Sequence, residues 1–193
     1  ILRIIKENGL GADVVSDGEL KKVLSLGFKS NKIVYSGVGK KFEELKFAIS
    51  KNILLINVES ESELKNIQKL AKKFRKKVSV GLRLNPNIDA KTNTKISTGR
   101  IQDKFGLDSN NIIKILNKFK NSRNIEIKCL SVHIGSQITQ NKPYNNVLVA
   151  INKILLKSKF KFEYIDLGGG MGIKYVKDNK RLDYSKLSKN IYK

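Results

Sequence analysis

At 193 residues the chain is long enough to bury a sizeable core, and its length alone suggests one domain. Its formal net charge is +22, but lysines are spread over every helical segment and arginine stands only at positions 3, 75, 83, 100, 123 and 181. That distribution reads as solvated helix faces in a composition rich in Lys, Ile and Asn, with no nucleic-acid-binding stripe, and no apolar run approaches the roughly 18–20 residues of a membrane span.

The chain begins Ile1-Leu2-Arg3-Ile4-Ile5, and its only methionine is Met171. Both ends read as the middle of amphipathic helices, so a fragment of a longer protein is expected. A first helix over 1–9 ends in Asn8-Gly9, a C-cap pair. A strand over 12–16 follows, and Ser16 with Glu19 has capping-box spacing for the next helix. Residues 32–37 form a second strand, leading to a helix over about 41–51. Ile53 to Val58 is almost wholly apolar, as a strand buried on both faces should be. Ser60 and Glu63 repeat the capping box before a helix to about Phe74.

Val78 to Leu84 is a fourth strand, closed by Asn85-Pro86. The long loop to Gly106 is rich in Thr, Asn, Asp and Gly, and loops of that length are usually functional. Asp108 or Ser109 caps a helix to about Phe119. The fifth strand, Cys129-Leu130-Ser131-Val132-His133, carries the only cysteine and delivers the only histidine. A lone cysteine in an apolar strand excludes an internal disulfide and reads as a small core residue of a reduced, cytoplasmic protein. A helix beginning near Pro143, a strand over 162–167, a loop and a last helix start complete the chain.

Six strand–helix units in strict alternation argue a parallel α/β sheet. A doubly wound sheet and a (β/α)8 barrel both fit. The barrel is favoured because Ser16, Ser36-Gly37, Glu59-Ser60, Asn85, His133 and Gly168 put a small or polar cluster at the end of every strand, where a barrel gathers its site. Six units cannot close eight strands, so either two units are missing or the fold is something else.

Two strand ends carry most of the chemistry. Asp166-Leu167-Gly168-Gly169-Gly170-Met171-Gly172 offers backbone N–H groups that turn toward an anion with no Cβ in the way. A dinucleotide fingerprint fails because position 173 is Ile. A nucleoside-methyl-donor motif fits locally but sits too late in the chain. A phosphate cradle at a barrel mouth fits the position, and a tight turn without ligand is the plain alternative. His133-Ile134-Gly135-Ser136-Gln137 pairs an imidazole able to stack on an aromatic ring with a glycine and a hydroxyl; the plain alternative is a core histidine. No second histidine and no spaced carboxylate pair supports a metal site. Asp13 and Arg83 lie within strands and are expected to be buried, hence paired or functional. Glu59 and Lys40 read as ordinary surface charges.

Taken together, Gly11-Ala12-Asp13-Val14-Val15-Ser16-Asp17-Gly18-Glu19-Leu20, Tyr35-Ser36-Gly37-Val38-Gly39-Lys40, Arg83-Leu84-Asn85-Pro86-Asn87-Ile88-Asp89-Ala90, Lys95-Ile96-Ser97-Thr98-Gly99, Lys104-Phe105-Gly106, the His133 block and the triple-glycine block resemble, in order, successive blocks of the diaminopimelate decarboxylases. The resemblance implies a pyridoxal 5′-phosphate barrel of the alanine-racemase type, holding six of its eight units over residues 1–193. It further implies a C-terminal β domain outside this chain and a homodimer with shared active sites. His133 would stack on the pyridine ring, and Ser136 with the Gly168, Gly169 and Gly170 backbone would hold the phosphate. Asp13 would line the cofactor site, and Arg83 would belong to its charge network.

The resemblance also implies that the lysine binding the cofactor lies upstream of residue 1, since no Lys-Ala-Asn-type block is present. The Glu-Pro-Gly-Arg block and a cysteine lent across the dimer would follow Lys193. The full-length protein is thus expected to be a carboxy-lyase that converts meso-diaminopimelate to L-lysine, with the fragment alone inactive. An arginine- or ornithine-type decarboxylase, or a non-catalytic regulatory relative, is the alternative. Neither nucleic acid nor membrane is expected as a partner.

Overall fold

A computed structural model describes residues 1–89, 105–174 and 181–192. The loop motif Ile96-Ser97-Thr98-Gly99 and Lys104 lie outside those residues.

The elements among the described residues are α1 (Leu2–Glu7), β1 (Ala12–Val14), α2 (Asp17–Ser25), β2 (Ile33–Tyr35), α3 (Phe42–Ser50), β3 (Leu55–Val58), α4 (Glu61–Lys73), β4 (Val78–Leu84), α5 (Ser109–Phe119), β5 (Ile125–Val132), α6 (Asn141–Ser158), β6 (Tyr164–Asp166) and α7 (Tyr184–Ile191). The sheet order is β1-β2-β3-β4-β5-β6, so every strand neighbours its successor in sequence. The registered ladders β1–β2, β2–β3 and β3–β4 are parallel, as an intervening helix after each strand requires. No helix among the described residues is long and apolar enough to cross a membrane.

The chain packs as two compact units, Ile1–Leu82 with Asn117–Cys129, and Arg83–Leu116 with Leu130–Lys193. In the first, β3 is buried throughout, and α4 turns Leu64, Ile67, Leu70 and Ala71 inward at helical spacing. Burying each such leucine or isoleucine stabilises the unit by about 1.5–3 kcal/mol. Both expected caps form. The Ser16 and Ser60 hydroxyls accept from Glu19 N–H and Glu63 N–H at 3.2 Å, while Glu19 Oε2 and Glu63 Oε2 accept from Val15 N–H and Glu59 N–H at 2.8 Å. In the second unit, Asp108 Oδ1 caps α5 by accepting from Asn110 and Asn111 N–H, both at 2.9 Å. There α6 buries Tyr144, Val147, Ile151 and Ile154.

Strand β5 starts at Ile125, four residues before the apolar run at Cys129. Glu126 and Lys128 interrupt the hydrophobic pattern there. Glu126 pairs with Lys77 at 2.9 Å and Lys128 at 3.7 Å, so its charge does not end the strand.

Candidate functional site

In the second unit, β5 ends at Val132 and hands the chain to His133, which is half-buried. Beyond it the backbone turns sharply, with Gly135 at φ 139° and Gln137 at φ 58°. The second arm comes from β6. Asp166 Oδ1 accepts from Gly168 N–H at 2.7 Å, turning the chain immediately after the strand. Gly168 (φ 69°) and Gly170 (φ 81°) occupy the left-handed region, where glycine alone avoids a Cβ penalty.

These two arms meet. Ile138 N–H donates to Gly170 O at 2.8 Å, and Gly172 N–H donates to Ile138 O at 2.9 Å, making a parallel bridge between Ile138 and Met171. The approach is so close that a Cβ on Gly170 would lie 1.8 Å from Gly135 O and 3.4 Å from Ser136 Cα. A Cβ on Gly168 would lie 2.4 Å from Val132 O and 2.8 Å from His133 Nδ1, whereas one on Gly169 would meet nothing within 4 Å. The outer two glycines are thus fixed by packing, and the middle one faces open space. His133, Ser136 and the glycine loop are brought together. Among the described residues, the Gly169 and Gly170 N–H groups donate to no backbone carbonyl. Such backbone donors, flanked by a hydroxyl and an imidazole, fit the phosphate monoester of an aromatic cofactor.

Two further residues support this arrangement. Arg83, 9 % exposed, donates from Nη2 to His133 O at 3.4 Å and lies 5.0 Å over the Phe105 ring, a cation–π contact. The expected burial of Arg83 is met. Tyr144 was not singled out by the sequence. Its hydroxyl donates to Gly169 O at 2.9 Å, and burial pushes its phenol up to about 12. The available signal was a tyrosine in the first turns of the helix that follows the His133 block.

The first unit requires two corrections. Asp13 is exposed, not buried. It sits mid-strand in β1, a strand of only three residues, so membership of a strand does not enforce burial. Asp13 lines a cavity of about 390 Å³ with Leu2, Ile5, Glu19, Lys22 and Phe28, among others.

Lys40 and Glu59, read as surface charges, are inside. Glu59 is 7 % exposed, and the Lys40 side chain is 1 % exposed. Lys40 Nζ donates to Gly37 O at 2.6 Å, Asn57 O at 2.7 Å and Glu63 Oε1 at 2.7 Å, so its three donors have three acceptors. Burial pushes the Glu63 carboxyl above its ordinary range, against the pull of Lys40. A lysine after a glycine turn carries no sequence mark of burial; the partner that draws it in lies 23 residues away.

Compared with known proteins, residues 1–193 match the family described as pyridoxal-dependent decarboxylase, pyridoxal binding domain. The diaminopimelate decarboxylase of Aquifex aeolicus (strain VF5) is 39% identical over 183 residues, which is 93% of this chain and 44% of that protein. The diaminopimelate decarboxylase of Helicobacter pylori (strain J99) is 38% identical over 190 residues, 96% of this chain and 47% of that one. A crystal structure of the Helicobacter pylori enzyme complexed with L-lysine aligns with a TM-score of 0.94 at 35% identity, covering 99% of this chain and 49% of that chain. The chain therefore spans about half the length of the curated relatives it matches. Its fold is that of the alanine-racemase-type (β/α)8 barrels, of which it holds six strand–helix units.

Proposed function

Since this chain belongs to the pyridoxal-dependent decarboxylases, matching their pyridoxal-binding domain along its whole length, we propose that it is the cofactor-holding part of a diaminopimelate decarboxylase. The full-length protein converts meso-diaminopimelate to L-lysine and CO2. Pyridoxal 5′-phosphate, when bound, supplies the electron sink that accepts the pair of electrons left by the departing carboxylate.

The residues of this chain bind and orient. The Gly169 and Gly170 amides, with Gly168 shaping the turn, and the Ser136 hydroxyl hold the phosphate. The flat His133 imidazole stacks against the ring. Arg83 holds the His133 backbone through its carbonyl. The lysine that binds the cofactor, a C-terminal β domain and the rest of the barrel belong to the longer chain. That protein acts in the cytoplasm as a homodimer with shared active sites.

The observation that carries this reading is the closure of the glycine loop onto the His133–Ser136 segment, where a single Cβ at position 170 would collide with Gly135 O. The choice of substrate is supported by curated relatives at 35–39% identity, each a diaminopimelate decarboxylase. The test is CO2 release by the full-length protein with pyridoxal phosphate and meso-diaminopimelate, L-arginine or L-ornithine in turn. Turnover of meso-diaminopimelate alone is expected. Preferred turnover of arginine or ornithine would overturn the substrate, and turnover of none would overturn the enzyme reading.

A further inference from the structure

We propose that Tyr144 is a positioning residue of the phosphate site, its hydroxyl fixing the Gly169–Gly170 peptide so that the Gly170 N–H faces the phosphate. The inference rests on the pyridoxal-phosphate reading above and deepens it.

The Gly169 carbonyl and the Gly170 N–H belong to one planar trans unit and point in opposite directions. Holding the carbonyl therefore aims the amide. This peptide joins two glycines, and a Cβ on the first would meet nothing within 4 Å. Neither side-chain sterics nor packing at position 169 opposes rotation of the peptide plane, because glycine has access to both halves of backbone space. The flanking contacts act on its neighbours: Asp166 Oδ1 takes the Gly168 N–H, and the Gly170 carbonyl takes the Ile138 N–H. The bond from Tyr144 to Gly169 O, at 2.9 Å, is the contact made to the peptide's own carbonyl.

Tyr144 is suited to the task. Its ring is 1 % exposed and buried in the first turns of α6, so the hydroxyl is delivered from a rigid element. A buried phenol needs an acceptor, and the glycine carbonyl supplies it. With its phenol pushed up to about 12 by burial, Tyr144 remains a donor throughout the neutral range.

The test uses the full-length protein and two probes, pyridoxal 5′-phosphate and pyridoxal, which lacks the phosphate. Tyr144→Phe keeps the ring and its packing and removes the oxygen alone. Loss of one net hydrogen bond corresponds to a roughly fivefold weaker affinity. The expected result is that weakening for pyridoxal 5′-phosphate and an unchanged affinity for pyridoxal. Equal weakening for both probes, or none for either, would overturn the positioning role. Amide hydrogen exchange at Gly170 in the unsubstituted protein supplies a second readout that does not depend on how the Phe variant folds. Exchange is expected to slow when pyridoxal 5′-phosphate is added and not when pyridoxal is added; no difference between the two overturns the inference. A protein that binds neither probe refutes the cofactor reading itself, and the role of Tyr144 with it.

Discussion

Replacing Lys40 by Met removes a buried cation and leaves its partner behind. Lys40 Nζ makes three short contacts, to Gly37 O, Asn57 O and Glu63 Oε1, and the two side chains are 1 % and 10 % exposed. The variant strands a carboxylate and two carbonyls in a dry place. Breaking a buried pair by removing one partner typically costs about 3–5 kcal/mol, a large share of the roughly 5–15 kcal/mol that holds an ordinary domain together. Lys40→Met with Glu63→Gln should recover much of this. The amide leaves no charge to bury and still accepts from Glu59 N–H, as Glu63 does at 2.8 Å.

The deficit should also depend on pH. Burial already raises the Glu63 carboxyl above its ordinary 4.5, and loss of Lys40 raises it further. A carboxyl whose folded value lies above its unfolded value makes the native state bind more protons in between. Stability therefore falls as pH rises through that window, and the Lys40→Met deficit should be smallest near pH 4.5 and grow toward neutrality. Urea unfolding of the single and double variants at several pH values measures this directly. A Lys40→Met loss under about 1 kcal/mol, or a pair of substitutions whose losses simply add, would refute the reasoning.

Gly170→Ala should cost about 2–5 kcal/mol through left-handed strain and overpacking and should weaken cofactor binding. Gly169→Ala should leave thermal stability nearly unchanged, since its Cβ meets nothing within 4 Å; calorimetry of the two variants decides it. Tyr35 and Tyr144 are both pushed up to about 12, chiefly by burial. The stability they confer is complete below pH 10 and is lost as pH rises from 10 toward 12. In a spectrophotometric titration both should ionise late, and Tyr144→Phe should delete one of the late transitions. Ser60→Ala removes the hydroxyl that caps α4 and should cost about 1 kcal/mol in chemical unfolding.

Much of the fold was legible because local and long-range demands agree. Val78 to Leu84 reads as one strand and is one, and Ser16 and Ser60 cap the helices that their spacing with Glu19 and Glu63 announces. The glycine block was legible for a different reason: two of its residues take backbone angles that other side chains rarely adopt, so composition betrays geometry. Illegible were features set by partners remote in sequence. Lys40 is drawn inward by Glu63 and by the Asn57 carbonyl, and Tyr144 by a carbonyl 25 residues on. Asp13 failed in the opposite sense, because β1 is only three residues long and buries Val14 alone.

The cofactor site is tested by the absorbance spectrum of the full-length protein with pyridoxal 5′-phosphate, followed by borohydride reduction and peptide mapping. A cofactor band, its loss in Gly170→Ala, and covalent capture on one lysine upstream of residue 1 are expected. Absence of a band, or capture on Lys40 or another lysine within residues 1–193, would contradict the cofactor reading.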